Sequence, residues 1–85
     1  MKEGIIKSVS EGNRILEHTR YRSALGLLED MFDLVEIKED GHKIHHPMFP
    51  PIKSAHYTKE TPIDEMGCNE YTDEEMLQVL RGTKP

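Results

Sequence analysis

The sequence predicts an α+β fold in a single small domain that spans residues 1–85. Three observations predict it. Apolar residues recur at helical spacing over the first third of the chain, an Asp-Gly pair then separates two alternating segments, and a helix-capping pattern precedes a short apolar run near the end. We therefore expect, in order, one long amphipathic N-terminal helix, a β-hairpin around Asp40-Gly41, an extended proline-rich segment and a short C-terminal helix.

The N-terminal helix is predicted over about residues 9–33. Ser8 and Glu11 have the S-x-x-E spacing of a capping box, in which two side chains cover free amides of the first turn. Gly12 weakens a helix by up to about 1 kcal/mol relative to alanine, so a start near residue 13 is the alternative. The apolar stripe behind this prediction consists of Val9, Leu16, Ala24, Leu27, Leu28, Met31 and Val35, flanked by Tyr21, Leu25 and Phe32.

The hairpin is predicted over about residues 34–46. Two alternating segments flank Asp40-Gly41, and glycine accepts the positive φ that such turns require. Leu34 and Val35 also continue the helical spacing of Met31, so residues 34–38 stay open between strand and helix.

The rest of the chain is predicted to be an extended segment followed by an acidic helical segment. Prolines remove amide donors and exclude helix, which makes residues 47–61 an extended segment and a loop. The acidic helical segment is predicted over residues 62–82, where Thr61-Pro62 at its start and then Gly67 indicate one helical turn. Thr72 and Glu75 form a second capping box, which predicts a short helix after it.

The charge of the chain is concentrated at its C-terminal end. Residues 1–59 hold nine acidic and nine basic side chains, so the formal net charge of −5 belongs to residues 60–85. Such a segment attracts basic surfaces and repels nucleic-acid phosphates.

Composition also limits the core and the compartment. With 35% hydrophobic residues, no tryptophan and Cys68 as the one cysteine, the domain has a small core and no internal disulfide. Domains of this size often rely on metal, oligomerisation or a partner. The longest apolar run is far below the ~20 residues of a membrane helix, so we expect a cytoplasmic protein without membrane contact.

These properties favour a small acidic, non-enzymatic interaction protein, such as an inhibitor or accessory subunit of a nucleic-acid-handling enzyme or larger assembly. Its acidic end would bind a protein partner with a basic surface, and its apolar extended segment would contact that partner or a second copy in a homodimer. No phosphate-binding loop, H-E-x-x-H or G-x-S-x-G motif is present, so we expect no catalytic residue and no cofactor. The candidate partner-binding residues are Asp64, Glu65, Glu70, Asp73, Glu74, Glu75, Met48, Phe49 and Ile52.

Two alternative functions would depend on other residues. A metal-binding domain would hold zinc through imidazole and thiolate ligands, although the spacing matches no established zinc pattern. A winged-helix-like DNA-binding regulator would use the long helix and the hairpin, but the hairpin carries three acids against two lysines, which disfavours nucleic acid. The candidate zinc ligands are His42, His46, His56 and Cys68, and Arg14, His18 and Arg22 form a candidate anion site on one helix face.

Overall fold

A four-stranded antiparallel sheet forms the body of the protein in a computed structural model, which describes residues 3–53 and 59–83. The sheet is a meander, because strands that follow one another in the chain lie side by side. The strands are β1 (Gly4–Glu11), β2 (Arg14–Arg22), β3 (Leu28–Ile37) and β4 (Lys43–Met48). A 3-10 turn at Ile63–Glu65 and one helix, α1 (Asp73–Gly82), follow.

The predicted fold class is wrong, because the long N-terminal helix is absent from the described residues. The chain over which it was predicted forms β1, β2 and the start of β3, with Val9 paired to Leu16 across the first hairpin. Gly12 has a φ of +62°, which no right-handed helix accepts and which suits the first central residue of a two-residue hairpin turn. The apparent capping box of Ser8 and Glu11 therefore lies within a strand.

A hairpin does turn at Asp40-Gly41, between β3 and β4. Residues 34–37 are strand, since Val35 pairs with His45, so the helical alternative for them is wrong. The Gly41 amide donates to the Lys38 carbonyl and closes the turn. β3 nevertheless begins at residue 28, earlier than the hairpin was expected to start.

The proline-rich segment starts inside the sheet. Pro47 lies opposite Asp33 in β4, an edge strand, where a residue without an amide donor is tolerated. Residues 49–53 then have neither helix nor strand structure. The loop predicted after them falls partly outside the described residues, at 54–58.

The core lies between α1 and one face of the sheet, which we call the packed face. It consists of Val9, Leu16, Phe32, Leu34, Tyr71, Met76 and Leu80. α1 begins with the expected capping box: Thr72 Oγ1 accepts from the Glu75 amide, and the Glu75 carboxylate accepts from the Thr72 amide. On the opposite side, which we call the open face, no helix or strand of the described ranges forms a second layer.

Candidate functional site

A cluster of charged side chains is buried on the packed face, between β2 and β3. The side chains of His18, Arg20 and Asp30 are 1%, 2% and 3% exposed. Asp30 Oδ1 lies 2.9 Å from His18 Nε2 and 2.8 Å from Arg20 Nε, and Asp30 Oδ2 accepts a hydrogen bond of 2.6 Å from the Asn69 amide. The rings of Phe32 and Tyr71 meet the His18 imidazole edge-on.

This cluster fastens the segment before α1 to the sheet. Burial opposes the ionisation of Asp30, but hydrogen bonds from His18, Arg20 and the Asn69 amide outweigh it and lower the pKa of Asp30. Arg20 also donates to the Asn69 carbonyl at 2.9 Å, so both backbone groups of Asn69 are held by the cluster. Its three side chains are almost wholly buried, so the contribution of the cluster that the structure shows is to the stability of the fold.

The candidate zinc ligands are not brought together. Cys68 contacts the Leu28 carbonyl at the start of β3, whereas His42 follows the turn at the far end of that strand. His46 Nε2 lies 3.9 Å from Glu36 Oε1 on the packed face, and His56 lies outside the described residues. No group of three or more His, Cys, Asp or Glu side chains in the described ranges could hold a metal ion.

Cys68 also lacks the surroundings of a reactive thiolate. Burial raises the pKa of the Cys68 thiol, and the carboxylates of Asp30, Glu65 and Glu70 raise it further against the opposing effect of Arg20. Burial makes the largest contribution, and it depends on the fold around Cys68.

The candidate anion-binding residues share one face of β2 instead of a helix face. Arg14 donates to the Thr83 carbonyl at the end of α1, and His18 belongs to the buried cluster. Arg22 donates to Asp64 at 3.0 Å and to the Gly26 carbonyl at 2.7 Å. Each cation is therefore already engaged within the chain. The winged-helix alternative needed a recognition helix at residues 9–33, where the structure has strands.

Four of the six acidic candidates form ion pairs within the chain, and these pairs compensate part of the negative charge expected of the C-terminal third. Among the described residues, no ion pair involves Glu65 or Glu74. The pairs are Asp64 with Arg22, Glu70 with Arg20, Asp73 with Lys7, and Glu75 with Lys53, at 3.0–3.4 Å.

Exposed apolar side chains gather at one end of the sheet. The β2–β3 turn and the 3-10 turn meet there, because Arg22 donates hydrogen bonds to Gly26 in the first turn and to Asp64 in the second. Residues 50–52 approach the start of β3 and form a small cleft with it. We call this region the apolar end, and it contains every large exposed hydrophobic residue of the described ranges: Ile5, Tyr21, Leu25, Leu27, Phe49, Ile52 and Ile63.

Two of the three apolar candidates are strongly exposed. Phe49 is 86% exposed and Ile52 is 99% exposed, whereas Met48 is half-buried and packs against the core. Sequence reasoning missed the apolar residues of the β2–β3 turn, because it had placed them on the buried stripe of a helix. Their flanking Ser23 and Gly26 are turn-forming residues and were the available signal.

A pair of carboxylates on the open face was also missed. Glu17 on β2 lies directly opposite Asp33 on β3. Each is half-buried, and Asp33 Oδ2 lies 2.8 Å from His45 Nδ1. No local signal marks this pair, since it depends on the register of two strands.

Comparison of the chain with protein-family models, with curated protein sequences and with solved structures found no match. Within the described ranges, no helix has the length and apolar character needed to cross a membrane. The side chains of the apolar end and of the open face are therefore the basis for the function proposed below.

Proposed function

We propose that this is a non-enzymatic binding protein whose apolar end docks on a partner protein. The supporting observation is that, among residues 3–53 and 59–83, the large exposed apolar side chains lie at that end. Grouped exposed apolar side chains with a polar rim are typical of interaction sites. Phe49 and Ile52 are the proposed anchors, because burial of each such side chain contributes about 1.5–3 kcal/mol.

The rim of the apolar end indicates the chemistry of the partner. Asp64 and Glu65 follow Ile63 directly, Glu29 is exposed at the start of β3, and the Glu70 side chain is 80% exposed. A partner surface with an apolar centre and lysine or arginine at its edge would complement this arrangement. Enzymes that handle nucleic acids present basic grooves that an acidic rim would complement, so an inhibitor or accessory subunit of such an enzyme is the concrete form of the proposal.

Hydrogen bonds to the rest of the chain hold the exposed segment, residues 49–53, in place, and this favours binding. Tyr71 donates its hydroxyl hydrogen to the Pro51 carbonyl at 2.8 Å, and Lys53 donates to the Glu70 carbonyl at 2.7 Å. The adjacent Asn69 is held by the buried cluster. A segment already ordered in the free protein loses less conformational entropy when a partner binds.

The double variant Phe49→Ser with Ile52→Ser tests this proposal. Both side chains are exposed, so we expect the free energy of unfolding to stay within about 0.5 kcal/mol of the wild type. Partner binding should fall at least tenfold, which is about 1.4 kcal/mol. The matched control is Glu39→Ser with Lys43→Ser, a pair of exposed residues toward the opposite end of the sheet.

Candidate partners would be captured on the tagged protein and then purified, and their affinities for the three proteins would be measured by calorimetry. We expect a partner whose affinity falls with the double variant, holds with the control, and weakens from about 0.05 to about 0.5 M salt as screening increases. A set of captured proteins that bind wild type and double variant equally would contradict the proposal.

A further inference from the structure

We infer that the open face of the sheet recognises a basic, apolar segment of a partner protein, with one lysine or arginine seated between Glu17 and Asp33. The inference rests on the proposed partner-binding function and extends it to a second surface. Three features of the open face carry it: the absence of a covering layer in the described ranges, the order of its side chains, and two carboxylates that lie directly opposite each other.

Side chains on the open face form rows across the strands. The register places Glu17 and Asp33 side by side in the central row, between Ser8 on β1 and Pro47 on β4. The row toward the Asp40-Gly41 turn is Ser10, Ile15, Val35 and His45, and the row toward the apolar end is Ile5, Thr19 and Met31. Two carboxylates therefore stand in the middle of a partly apolar face, on which Ile15 and Met31 are half-buried and Val35 is buried.

The two carboxylates are unfavourable neighbours in the free protein. Like charges that face each other directly across two strands destabilise a sheet. No ion pair or hydrogen bond reaches the Glu17 side chain from the described residues, and Asp33 Oδ1 is buried without a hydrogen-bond partner. Among the described residues, Asp33 has a polar contact with His45, whose side chain is 58% exposed. A cation placed between Glu17 and Asp33 would relieve their repulsion.

The charges and the apolar rows of the open face also indicate which kind of molecule would bind there. A second copy stacked on this face by a two-fold axis would bring its own Glu17 and Asp33 toward these carboxylates and add repulsion. Nucleic-acid phosphates would be repelled in the same way. A protein segment with lysine or arginine among apolar side chains would satisfy both the carboxylates and the rows beside them, and the arginine fork can donate to two carboxylates together.

The probe is a synthetic amphipathic helical peptide of leucine and lysine, with the same peptide carrying glutamate in place of lysine as the negative control. Its affinity would be measured by fluorescence anisotropy for the wild type and for the double variant Glu17→Gln with Asp33→Asn. Glu39→Gln with Glu74→Gln is the matched variant, because it removes the same charge from two exposed positions elsewhere.

We expect the lysine peptide to bind the Glu17→Gln, Asp33→Asn protein at least about tenfold more weakly, and the matched variant less than about threefold more weakly. Amide shifts on binding should centre on residues 15–19 and 31–35. Equal weakening in the two variants, shifts centred on α1, or a dimer that already covers the open face in the absence of peptide would overturn the inference.

The Phe49→Ser, Ile52→Ser protein separates this inference from the function proposed above. It should bind the lysine peptide as the wild type does, because its substitutions lie outside the open-face rows. Failure of those two substitutions to affect a natural partner would contradict docking at the apolar end, and it would leave the peptide result on the open face unchanged.

Discussion

Replacement of Asp30 by asparagine is the most direct test of the buried cluster. Asparagine nearly matches aspartate in volume, so the substitution removes a charge without opening a cavity. Arg20 would then keep its charge in a site where its side chain is 2% exposed, and His18 would lose its carboxylate. Removal of one partner from a buried ion pair costs about 3–5 kcal/mol. For a domain of this size each kcal/mol lowers Tm by about 4–8 °C, so we expect a fall of more than about 12 °C.

Asp33→Asn is the matched control, since Asp33 lies on the same strand but on the open face. Its side chain is 25% exposed, and its polar contact within the described part of the chain is an exposed histidine, so the expected cost is below about 1 kcal/mol. Urea titration and thermal melts followed by circular dichroism would measure both variants. A cost for Asp30→Asn below about 1 kcal/mol, or equal costs for the two variants, would refute the structural role of the cluster.

The pH dependence gives a second measurement on the same variant. The pKa of Asp30 is lowered in the folded protein, so the unfolded chain takes up a proton at a pH where the folded chain does not. The stability from this group is therefore present above its unfolded pKa of about 3.9 and is lost as pH falls through the lower folded value. We expect the stability difference between wild type and Asp30→Asn to shrink from about pH 6 to about pH 3, and a constant difference would contradict the linkage.

Two further predictions test local structure, both by thermal melts. Thr72→Ala should cost about 1 kcal/mol because it removes the cap of α1, whereas Ser8→Ala should stay within about 0.5 kcal/mol, since Ser8 lies in a strand. Gly12→Ala should cost about 1–2 kcal/mol, because its φ of +62° is unfavourable for any residue with a Cβ atom. Gly82→Ala, in α1 and without close neighbours, should be neutral or stabilising. Equal effects within either pair would contradict these assignments.

The two capping patterns show how far local sequence signals extend. Ser8 with Glu11 and Thr72 with Glu75 have the same spacing, yet only the second pair caps a helix. Thr72 is followed by a run without glycine until residue 82, and its apolar residues can bury one helix face. Ser8 is followed after four residues by Gly12, where the chain reverses at a positive φ. A capping pattern therefore specifies a helix start only when the residues after it can continue the helix.

The strand β2 could not be recognised in the sequence, because residues of the buried cluster interrupt its apolar pattern. Strands are recognised by alternation of apolar and polar residues, but the packed-face positions after Leu16 are His18 and Arg20. These polar side chains are buried only because Asp30 on β3 faces them, a contact between residues far apart in the chain. The helical interpretation of residues 9–33 followed from reading the remaining apolar residues without that partner.

The candidate site, like the fold, could be predicted from the sequence only where local residues decide the structure. Prolines around Phe49 and Ile52 exclude helix and weaken sheet pairing, so the irregular backbone of residues 49–53 follows from local sequence, whereas the exposure of the two side chains depends on the fold. Met48 directly precedes Phe49 in the chain, but it still pairs with Phe32 in the sheet. That pairing places Met48 against the core. The opposition of Glu17 and Asp33 depends on strand register alone, which the sequence does not display.

The charged groups of β2 and β3 stabilise the folded protein on one face of the sheet and destabilise it on the other. On the packed face, Asp30 contacts both His18 and Arg20, and loss of this arrangement would cost about 3–5 kcal/mol. On the open face, the opposition of Glu17 and Asp33 costs roughly 0.2–1 kcal/mol, the usual size of a cross-strand pair effect. The first effect exceeds the second several-fold. A chain with a small core can therefore hold an unfavourable acidic pair on its open face, where an incoming cation would turn the same two carboxylates into a favourable contact.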